Sequence, residues 1–524
     1  MVFGWLKKRD GKITPDAARN YLSALSGSNE AVIVQVLDWV NAQFEQGSLD
    51  LTLLQMADQR LDALRAQVRE QAYLQSRLGT GYRLLRTNSE QFAQAYLRIA
   101  RGLPEGSSER VSAYLRAACL FSRACYMARM TYGDPGDLRK ALLGVWQEAE
   151  RQGIATRRMP PYPGLLESSV IQEVAVSFLF ETAPFENLSV AQIEYLARFL
   201  AFYGNRIVIT PAPGVTLPYA IVADGQVCAT DNATLDPSPP LFIGPGPLLD
   251  FMANVTKLSG QDSLPPWAGD LLPYADIQTI KSLAQRLCAT WEKKSAQRSS
   301  ERQRRDDNVR VTGGFINIRR AVAYAAYVRN GGKLDVFGMP DKLISERLRE
   351  IMVGLVEESK ERTPVEVLAV MEGAQDQGSV EEWSVIDNSA TGYSLVVPGF
   401  RKWLAVGGLL ALRESDQIDW HIAIVRRLYG MASSRRVGIE IFPGTPVPIG
   451  VGVGGQLTDV SIANLRDAIL INGADETWVV TSFPCVIDAT YLIASQQGRQ
   501  LFKIRARYGG DDGYEVYTAT RLAG

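Results

Sequence analysis

Residues 385–395 read VIDNSATGYSL and place an acid, an amide, two hydroxyl groups and a glycine between apolar segments. Trp383 before this stretch, and Val396 and Val397 after it, have the aromatic and β-branched character of strands. By itself the stretch indicates a hairpin turn, because Asp, Asn, Ser and Gly favour turns. The same side chains also suit a polar binding site, so the surrounding sequence has to decide between the two.

Short apolar segments surround this stretch at a spacing of roughly ten residues, which is typical of a β-barrel or sandwich. They read YSLVVPG, WLAVGGLLALR, WHIAIVRRLYG, RRVGIEIFPG and VPIGVGVGG. Further strand-like segments follow between 451 and 524, and we expect them to form a separate small β unit.

The N-terminal part has a helical pattern. From the Thr14-Pro15 start to about residue 150, apolar positions recur three and four apart, which predicts an α-helical interaction domain over 1–155. The proline-rich segment 157–166 then opens a mixed α+β region over 156–274. A connecting helix with a basic end is expected over 275–310, and its basic residues are Lys293, Lys294, Arg298, Arg302, Arg304 and Arg305.

Composition excludes several classes of protein. The chain has 524 residues and a formal net charge of −1, which argues against a general binder of DNA or RNA. A single histidine, His421, and five scattered cysteines give neither a metal site nor a histidine-based catalytic arrangement. No apolar run reaches the roughly 18 residues of a membrane span. We therefore expect a cytoplasmic protein without a metal, whose cysteines are reduced and buried.

The arginine cluster at 298–305 and the polar turn at 387–392 together suit one class of ligand. An arginine fork matches the O6 and N7 acceptors of guanine and the oxygens of phosphate. The carboxylate of Asp387 can accept from guanine N1–H and its exocyclic amine, and Ser389 can serve a base edge or a phosphate. Gly392 removes a Cβ where a turn needs positive φ or where a ligand approaches the backbone.

These residues resemble the two signatures of the PilZ domain family. Asp387, Ser389 and Gly392 match Asp-x-Ser-x-x-Gly, while Arg298 and Arg302 match the preceding Arg-x-x-x-Arg, in which Arg304 or Arg305 could replace Arg302. The strand-like segments follow in the family's order. The resemblance covers residues 298–450 and implies a barrel that binds cyclic di-GMP. The implied ligand residues are Arg298, Arg302, Arg304, Arg305, Asp387, Asn388, Ser389 and Gly392.

The chain departs from the family in the long separation of the two signatures. Between Arg302 and Asp387 lie 84 residues, and within them 341–371 predicts a helical insertion. Near the C-terminus, RYGGDDGYEVY at 507–517 resembles the hairpin of diguanylate cyclases. Its short strand-like flanks indicate a simple turn instead.

The sequence thus predicts an α+β multidomain protein. It combines an N-terminal α-helical array, a C-terminal antiparallel PilZ-like β-barrel over 298–450, and a further small β unit over 451–524. The expected function is that of a non-enzymatic bacterial cyclic di-GMP effector, with protein partners bound by the helical region and with no cofactor. The alternative is a scaffold or adaptor whose PilZ-like barrel binds no nucleotide.

Overall fold

The computed structural model of the chain describes most of its residues. These are 14–74, 78–214, 217–230, 241–258, 277–292, 303–330, 380–389, 391–399, 401, 403–431, 434–452, 465–474, 476–495, 498–511 and 513–522. For 71–74, 78–80, 429–431, 434 and 511 only the backbone is described. The chain divides into two compact units, Met1–Ala296 and Gln297–Gly524, which we call the N-terminal and C-terminal units.

The N-terminal unit begins with an array of six helices. Thr14, Ser28 and Ser107 begin three of them, and the hydroxyl of each accepts a backbone N–H of the first turn, which satisfies a donor that the helix itself cannot. The helices are α1 (Pro15–Ala24), α2 (Asn29–Glu45), α3 (Leu51–Leu74), α4 (Leu78–Gly102), α5 (Ser108–Met130) and α6 (Gly136–Arg151). The predicted N-terminal helices are confirmed.

Three of these helices meet at a buried carboxylate. Asp58 on α3 accepts from Arg65 Nη1 at 2.5 Å and from the Tyr96 hydroxyl of α4 at 2.9 Å. Arg116 of α5 donates to the same hydroxyl at 3.0 Å. A buried carboxylate needs such compensation by charge and hydrogen bonds. The network therefore fixes the relative positions of α3, α4 and α5.

The rest of the N-terminal unit mixes helices with a small sheet. Its strand order is β1-β4-β2-β3, and all pairings are antiparallel. The elements are α7 (Val170–Phe180), α8 (Val190–Tyr203), β1 (Val208–Thr210), β2 (Tyr219–Ile221), β3 (Val227–Ala229), β4 (Leu241–Gly244), α9 (Leu248–Val255) and α10 (Ile277–Trp291), with 3-10 helices at Phe185–Asn187 and Gly204–Arg206. The connecting helix expected from 275 is present as α10, and its side chains Ile280, Leu283, Leu287 and Trp291 are buried.

The C-terminal unit contains two closed antiparallel barrels of six strands each. The first barrel consists of β6 (Asn308–Gly313), β7 (Glu381–Ser389), β8 (Gly392–Val397), β9 (Leu409–Glu414), β10 (His421–Met431) and β11 (Ser434–Ile441), with the short strand β5 (Gln303–Arg304) added beside β7. The second barrel consists of β12 (Thr445–Gly452), β13 (Leu465–Asn472), β14 (Thr477–Thr481), β15 (Thr490–Ser495), β16 (Gly498–Asp511) and β17 (Tyr514–Arg521).

Both barrels have the same strand connectivity. In each, the first three strands form one meander and the last three form another. The meanders join through the first and fourth strands, β6–β9 and β12–β15, and through the third and sixth strands, β8–β11 and β14–β17. The expected small β unit is thus a complete barrel, and it begins at β12, a few residues before the expected boundary at 450.

A shared apolar core joins the two barrels. Helix α11 (Phe315–Arg329) packs there, with Phe315, Ile318 and Val322 against the outward side chains of both barrels. Phe442 after β11 lies 5.6 Å from Trp478 of β14, between ring centroids. The core also contains Leu409, Ala411, Trp420, Ile422, Ile424, Ile469, Ile471, Val480, Tyr514 and Val516. Burial of so much apolar surface stabilises the pair of barrels as one body.

Some expectations lie outside the described residues. They include the predicted helical insertion at 341–371 and the basic residues Lys293, Lys294, Arg298 and Arg302. None of the helices in the described part of the chain is both long enough and apolar enough to cross a membrane.

Candidate ligand-binding site

The stretch VIDNSATGYSL forms the hairpin between β7 and β8. Asp387 pairs with Ser394, Asn388 with Tyr393, and Ser389 with Gly392. The Ser389 hydroxyl donates to the carbonyl of Gly392 at 3.4 Å. The hairpin expected from the turn-forming residues is therefore present, and its polar residues lie at one end of the first barrel.

A β-bulge at Ile386 determines which way these polar side chains face. Val385 pairs with Leu395, which is buried in the barrel, but the next pair is Asp387 with Ser394, so Ile386 is the extra residue. Residues directly opposite each other in an antiparallel pair share a face, and faces alternate along a strand. Asp387 consequently has the outward phase of Ser394, although simple alternation from Val385 would turn it inward. Bulges commonly re-aim side chains in this way.

The arginine segment lies directly beside this hairpin. In the β5–β7 pairing Arg304 is opposite Asp387, and Gln303 is opposite Asn388. The backbone continues along β7, because Arg305 N–H donates to the carbonyl of Ile386 at 3.2 Å. Two sequence features more than 80 residues apart are thus neighbours on one barrel end. Of the predicted arginines, Arg304 and Arg305 are described, while Arg298 and Arg302 lie outside the described residues.

The two described arginines have different surroundings. Arg304 is exposed, and the structure records no ion pair between it and another described residue. Arg305 is bound by two carboxylates: its Nε donates to Asp307 Oδ1 at 3.0 Å and its Nη1 donates to Glu414 Oε1 at 2.7 Å. The hydrogen bonds that Arg305 donates to Glu414 and to Asp307 raise its pKa. Of these two arginines, Arg304 is the one whose guanidinium has no ion pair with another described residue.

Glu414 places a carboxylate at this end of the first barrel. Its Oε1 also accepts the Tyr393 hydroxyl at 2.8 Å. Burial opposes ionisation of this carboxyl, but hydrogen bonds from Tyr393 and Arg305 outweigh it and lower the pKa of Glu414. Burial, followed by the hydrogen bond to Glu414, raises the pKa of Tyr393 to about 12. The carboxylate and the phenol therefore keep fixed protonation states at neutral pH.

Gly392 has a structural role that neither sequence-based interpretation anticipated. Its φ is not positive, and no ligand is needed to explain the missing Cβ. A Cβ at this position would lie 2.0 Å from the carbonyl oxygen of Ile439 on β11. The barrel's own backbone approaches this glycine, so Gly392 allows β8 and β11 to pair closely.

The described side chains of the site suit polar recognition. Asp387 supplies a carboxylate acceptor, Ser389 a hydroxyl group and Arg304 a cation. Asn388, also predicted as a ligand residue, pairs with Tyr393 and so has the inward phase, on the other face from Asp387 and Ser389. Among the described residues, no three His, Cys, Asp or Glu side chains are grouped so that they could hold a metal ion. Hydrogen bonding to a nucleobase edge and a phosphate is the chemistry that this set can perform.

Other residues considered from the sequence have structural positions. His421 is the first residue of β10 and pairs with Leu412 of β9. Cys119, Cys125 and Cys485 are buried, Cys228 and Cys288 are partly buried, and all five are free thiols. Gly509 and Gly510 lie near the end of β16, and Gly513 has a φ of 102° just before β17. The segment resembling a cyclase hairpin is therefore the turn between these strands, as predicted.

Sequence reasoning missed the anchoring of Arg305 and the bulge. Asp307 and Glu414 are ordinary acidic residues in the sequence, 107 positions apart, and no local pattern joins them.

Comparison of the chain with protein-family models, with curated proteins and with solved structures finds no match.

Proposed function

We propose that the chain is a non-enzymatic bacterial effector that binds cyclic di-GMP at the hairpin end of the first barrel. The observation that carries this proposal is the pairing of Arg304 with Asp387. It brings the arginine segment and the Asp-x-Ser-x-x-Gly stretch side by side, which the PilZ resemblance requires and which their sequence separation does not make necessary.

The recognition chemistry follows from the outward face of the hairpin. Asp387 can accept from the N1–H and amino groups of guanine, and Ser389 can donate to a base or phosphate oxygen. Arg304 adds a guanidinium, which can bind phosphate or the O6 and N7 edge of guanine in bidentate fashion. The upstream Arg298 and Arg302 would add further positive charge to the same ligand. Cyclic di-GMP has two phosphates and two guanines, so each of these side chains has a group of the ligand to bind.

The position of the arginine segment in the chain suggests how binding is transmitted. The segment directly follows the boundary between the N-terminal and C-terminal units at Ala296 and Gln297. Ligand bound jointly by these arginines and β7 would favour some arrangements of the two units over others. It can do so only to the extent that its affinity for those arrangements differs. The helical region would then offer its partner proteins a different binding surface.

Isothermal titration of the full chain with cyclic di-GMP tests the proposal. We expect saturable binding at physiological salt, and a loss of about tenfold or more in Asp387→Ala and in Arg304→Ala, because each removes a hydrogen-bonding contact of roughly 1–3 kcal/mol. Ser389→Ala should lose somewhat less, since a neutral hydrogen bond contributes less than a charged one.

Matched controls come from the second barrel. Asn472→Ala changes the hairpin between β13 and β14, and Arg499→Ala removes an exposed arginine on β16. Both should bind like the unchanged chain. Undetectable binding by folded protein overturns the proposal, and so does binding that Asp387→Ala and Arg304→Ala leave unchanged.

A scaffold without nucleotide binding is the second candidate, and one contact favours it. Arg305, one of the predicted ligand arginines, is already bound by Asp307 and Glu414, which also place negative charge near the site. A pull-down with the full chain distinguishes the two functions. The same partners recovered with and without cyclic di-GMP, together with no heat of binding, would establish the scaffold.

A further inference from the structure

We propose that Arg305 is a positioning residue, which anchors the arginine segment to the first barrel so that Arg304 faces Asp387, and that Arg305 does not itself bind the ligand. This inference rests on the proposed function and assigns different roles to two adjacent arginines. We call Arg305, Asp307, Glu414 and Tyr393 the anchor cluster.

The anchor cluster lies at one end of the first barrel. Glu414 is the last residue of β9, where Leu409 and Ala411 face the core between the barrels, so Glu414 has the inward phase together with Leu412. Tyr393 has the inward phase of β8, which it shares with Leu395 and Val397. The Tyr393 hydroxyl donates to Glu414 Oε1 at 2.8 Å, and Arg305 Nη1 donates to the same oxygen at 2.7 Å.

Backbone hydrogen bonds attach the arginine segment to β7 at Arg305 itself and at Asp307. The Arg305 N–H donates to Ile386 at 3.2 Å, and Val385 N–H donates to the carbonyl of Asp307 at 2.8 Å. On β7 these two hydrogen bonds are made by Val385 and Ile386, at the bulge that turns Asp387 outward. The side chain of Arg305 and its neighbouring backbone therefore hold the same part of β7, next to the Arg304–Asp387 pair.

Charge argues against a second role for Arg305 in binding the ligand. Its guanidinium would have to leave two carboxylates before it could bind a phosphate, and those carboxylates would repel the phosphate. Arg304 makes no ion pair with another described residue, and the carboxylate opposite it in the β5–β7 pairing, Asp387, is the one assigned to guanine. Arg304 is therefore the ligand residue of the pair, and Arg305 is the anchor.

The two possible roles of Arg305 predict opposite effects of Glu414→Gln. If Arg305 is an anchor, loss of the carboxylate loosens the segment and weakens binding of cyclic di-GMP, by about three- to tenfold. If Arg305 is a phosphate ligand whose guanidinium Glu414 occupies in the free protein, the same substitution frees that guanidinium and strengthens binding of cyclic di-GMP. Arg305→Ala weakens binding in both cases, so the sign for Glu414→Gln decides.

Salt dependence provides a second readout that a general loss of structure would not change. Attraction between Arg304 and phosphate is screened by salt, so affinity falls as ionic strength rises. We expect Arg304→Ala to reduce that fall and Glu414→Gln to preserve it, since the phosphate contact remains in the second variant. A reduced salt dependence in Glu414→Gln would assign Arg305 to the ligand.

Hydrogen–deuterium exchange of the ligand-free full chain tests the anchor without any nucleotide. Peptides covering 303–309 should exchange several-fold faster in Glu414→Gln than in the unchanged chain. The matched control is Glu515→Gln, which removes the carboxylate that Arg507 Nε contacts at 2.5 Å on the second barrel. It should leave exchange over 303–309 unchanged.

The outcomes separate the two proposals. Absence of binding by the unchanged chain contradicts the proposed function, yet faster exchange in Glu414→Gln would still establish the anchor. Normal binding with unchanged exchange, or with tighter binding in Glu414→Gln, overturns the anchor and leaves the proposed function intact.

Discussion

The two barrels of the C-terminal unit have the same strand connectivity, but the hairpin between the second and third strands has different surroundings in each. In the first barrel the outward face of the β7–β8 hairpin carries Asp387 and Ser389. In the second barrel the outward residues around the corresponding hairpin, Ile471 and Trp478, belong to the core between the barrels. In the first barrel these outward residues are partly exposed, while their counterparts in the second barrel are covered by protein.

The segment before the first strand differs as well. The first barrel is preceded by the basic segment and β5, which pairs with β7. Only Phe442, Pro443 and Gly444 separate β11 from β12, so nothing comparable precedes the second barrel. A Cβ at Gly444 would lie 2.3 Å from the carbonyl oxygen of Asn472, which shows how closely this connection crosses the hairpin. The two barrels therefore differ in the segment that precedes the first strand, and the proposed site depends on that segment as well as on the barrel.

The largest expected effect comes from the core that the barrels share. Trp478→Ala should lower the free energy of unfolding of the C-terminal unit by about 3–5 kcal/mol, because it removes a large buried side chain and leaves a cavity. Denaturation followed by fluorescence and by circular dichroism should give one coincident transition for both barrels.

Val486→Ala is the control for that prediction, since Val486 is exposed on the second barrel. It should change the free energy of unfolding by roughly 0.5 kcal/mol or less. Two separate transitions in the unchanged chain would show that the barrels unfold independently despite their common core.

Gly392→Ala tests whether the glycine of the hairpin serves folding or the ligand. The close approach of the Ile439 carbonyl predicts a loss of roughly 1–3 kcal/mol or more in stability through overpacking. Gly509→Ala in the second barrel is the matched change, because its Cβ would lie at an ordinary 3.7 Å from Ile424 Cδ1. Equal stability of the two variants in urea denaturation, with weaker ligand binding in Gly392→Ala, would assign the glycine to the ligand instead.

The smallest expected effect is the pH dependence of the anchor cluster. The pKa of Glu414 is lower in the folded protein, so its ionised form contributes stability that is fully present above the unfolded pKa of about 4.3. That contribution disappears as the pH falls through the lowered folded pKa. The free energy of unfolding of the unchanged chain should exceed that of Glu414→Gln by up to about 1 kcal/mol at pH 7, as for a partly exposed ion pair, and the difference should shrink as the pH falls below the unfolded pKa. Urea denaturation at stepped pH measures it, and a difference that does not vary with pH would contradict the assignment.

Local sequence patterns were sufficient for the strands and for the hairpin. The turn at 387–392 follows from residues that favour turns, and the strands from alternation over a few positions. The proximity of Arg304 to Asp387 was predicted only through the resemblance, because no local pattern pairs β5 with β7. Closure of the second barrel depends on the β12–β15 pairing, which is equally non-local.

The helix between the barrels was missed for a different physical reason. Nearly every position of α11 from Ala321 to Tyr327 is buried, so the helix lacks the polar face by which an amphipathic helix is recognised. Phe315, Ile318, Val322 and Ala325 do follow helical spacing and could have indicated it. The bulge at Ile386 has no such signal, because an extra residue in a strand is visible only when its partner strand is known.

The interrupted first barrel also has a consequence for the order of folding. All six strands of the second barrel lie within 445–521, whereas β6 ends at Gly313 and its partners β7 and β9 begin only at Glu381 and Leu409. Pairings between distant parts of a chain form more slowly than local ones. We expect the second barrel to form early and the first to close late, so that β5 reaches β7 in one of the last steps. Competence to bind a ligand at that end would then mark a chain whose folding is complete.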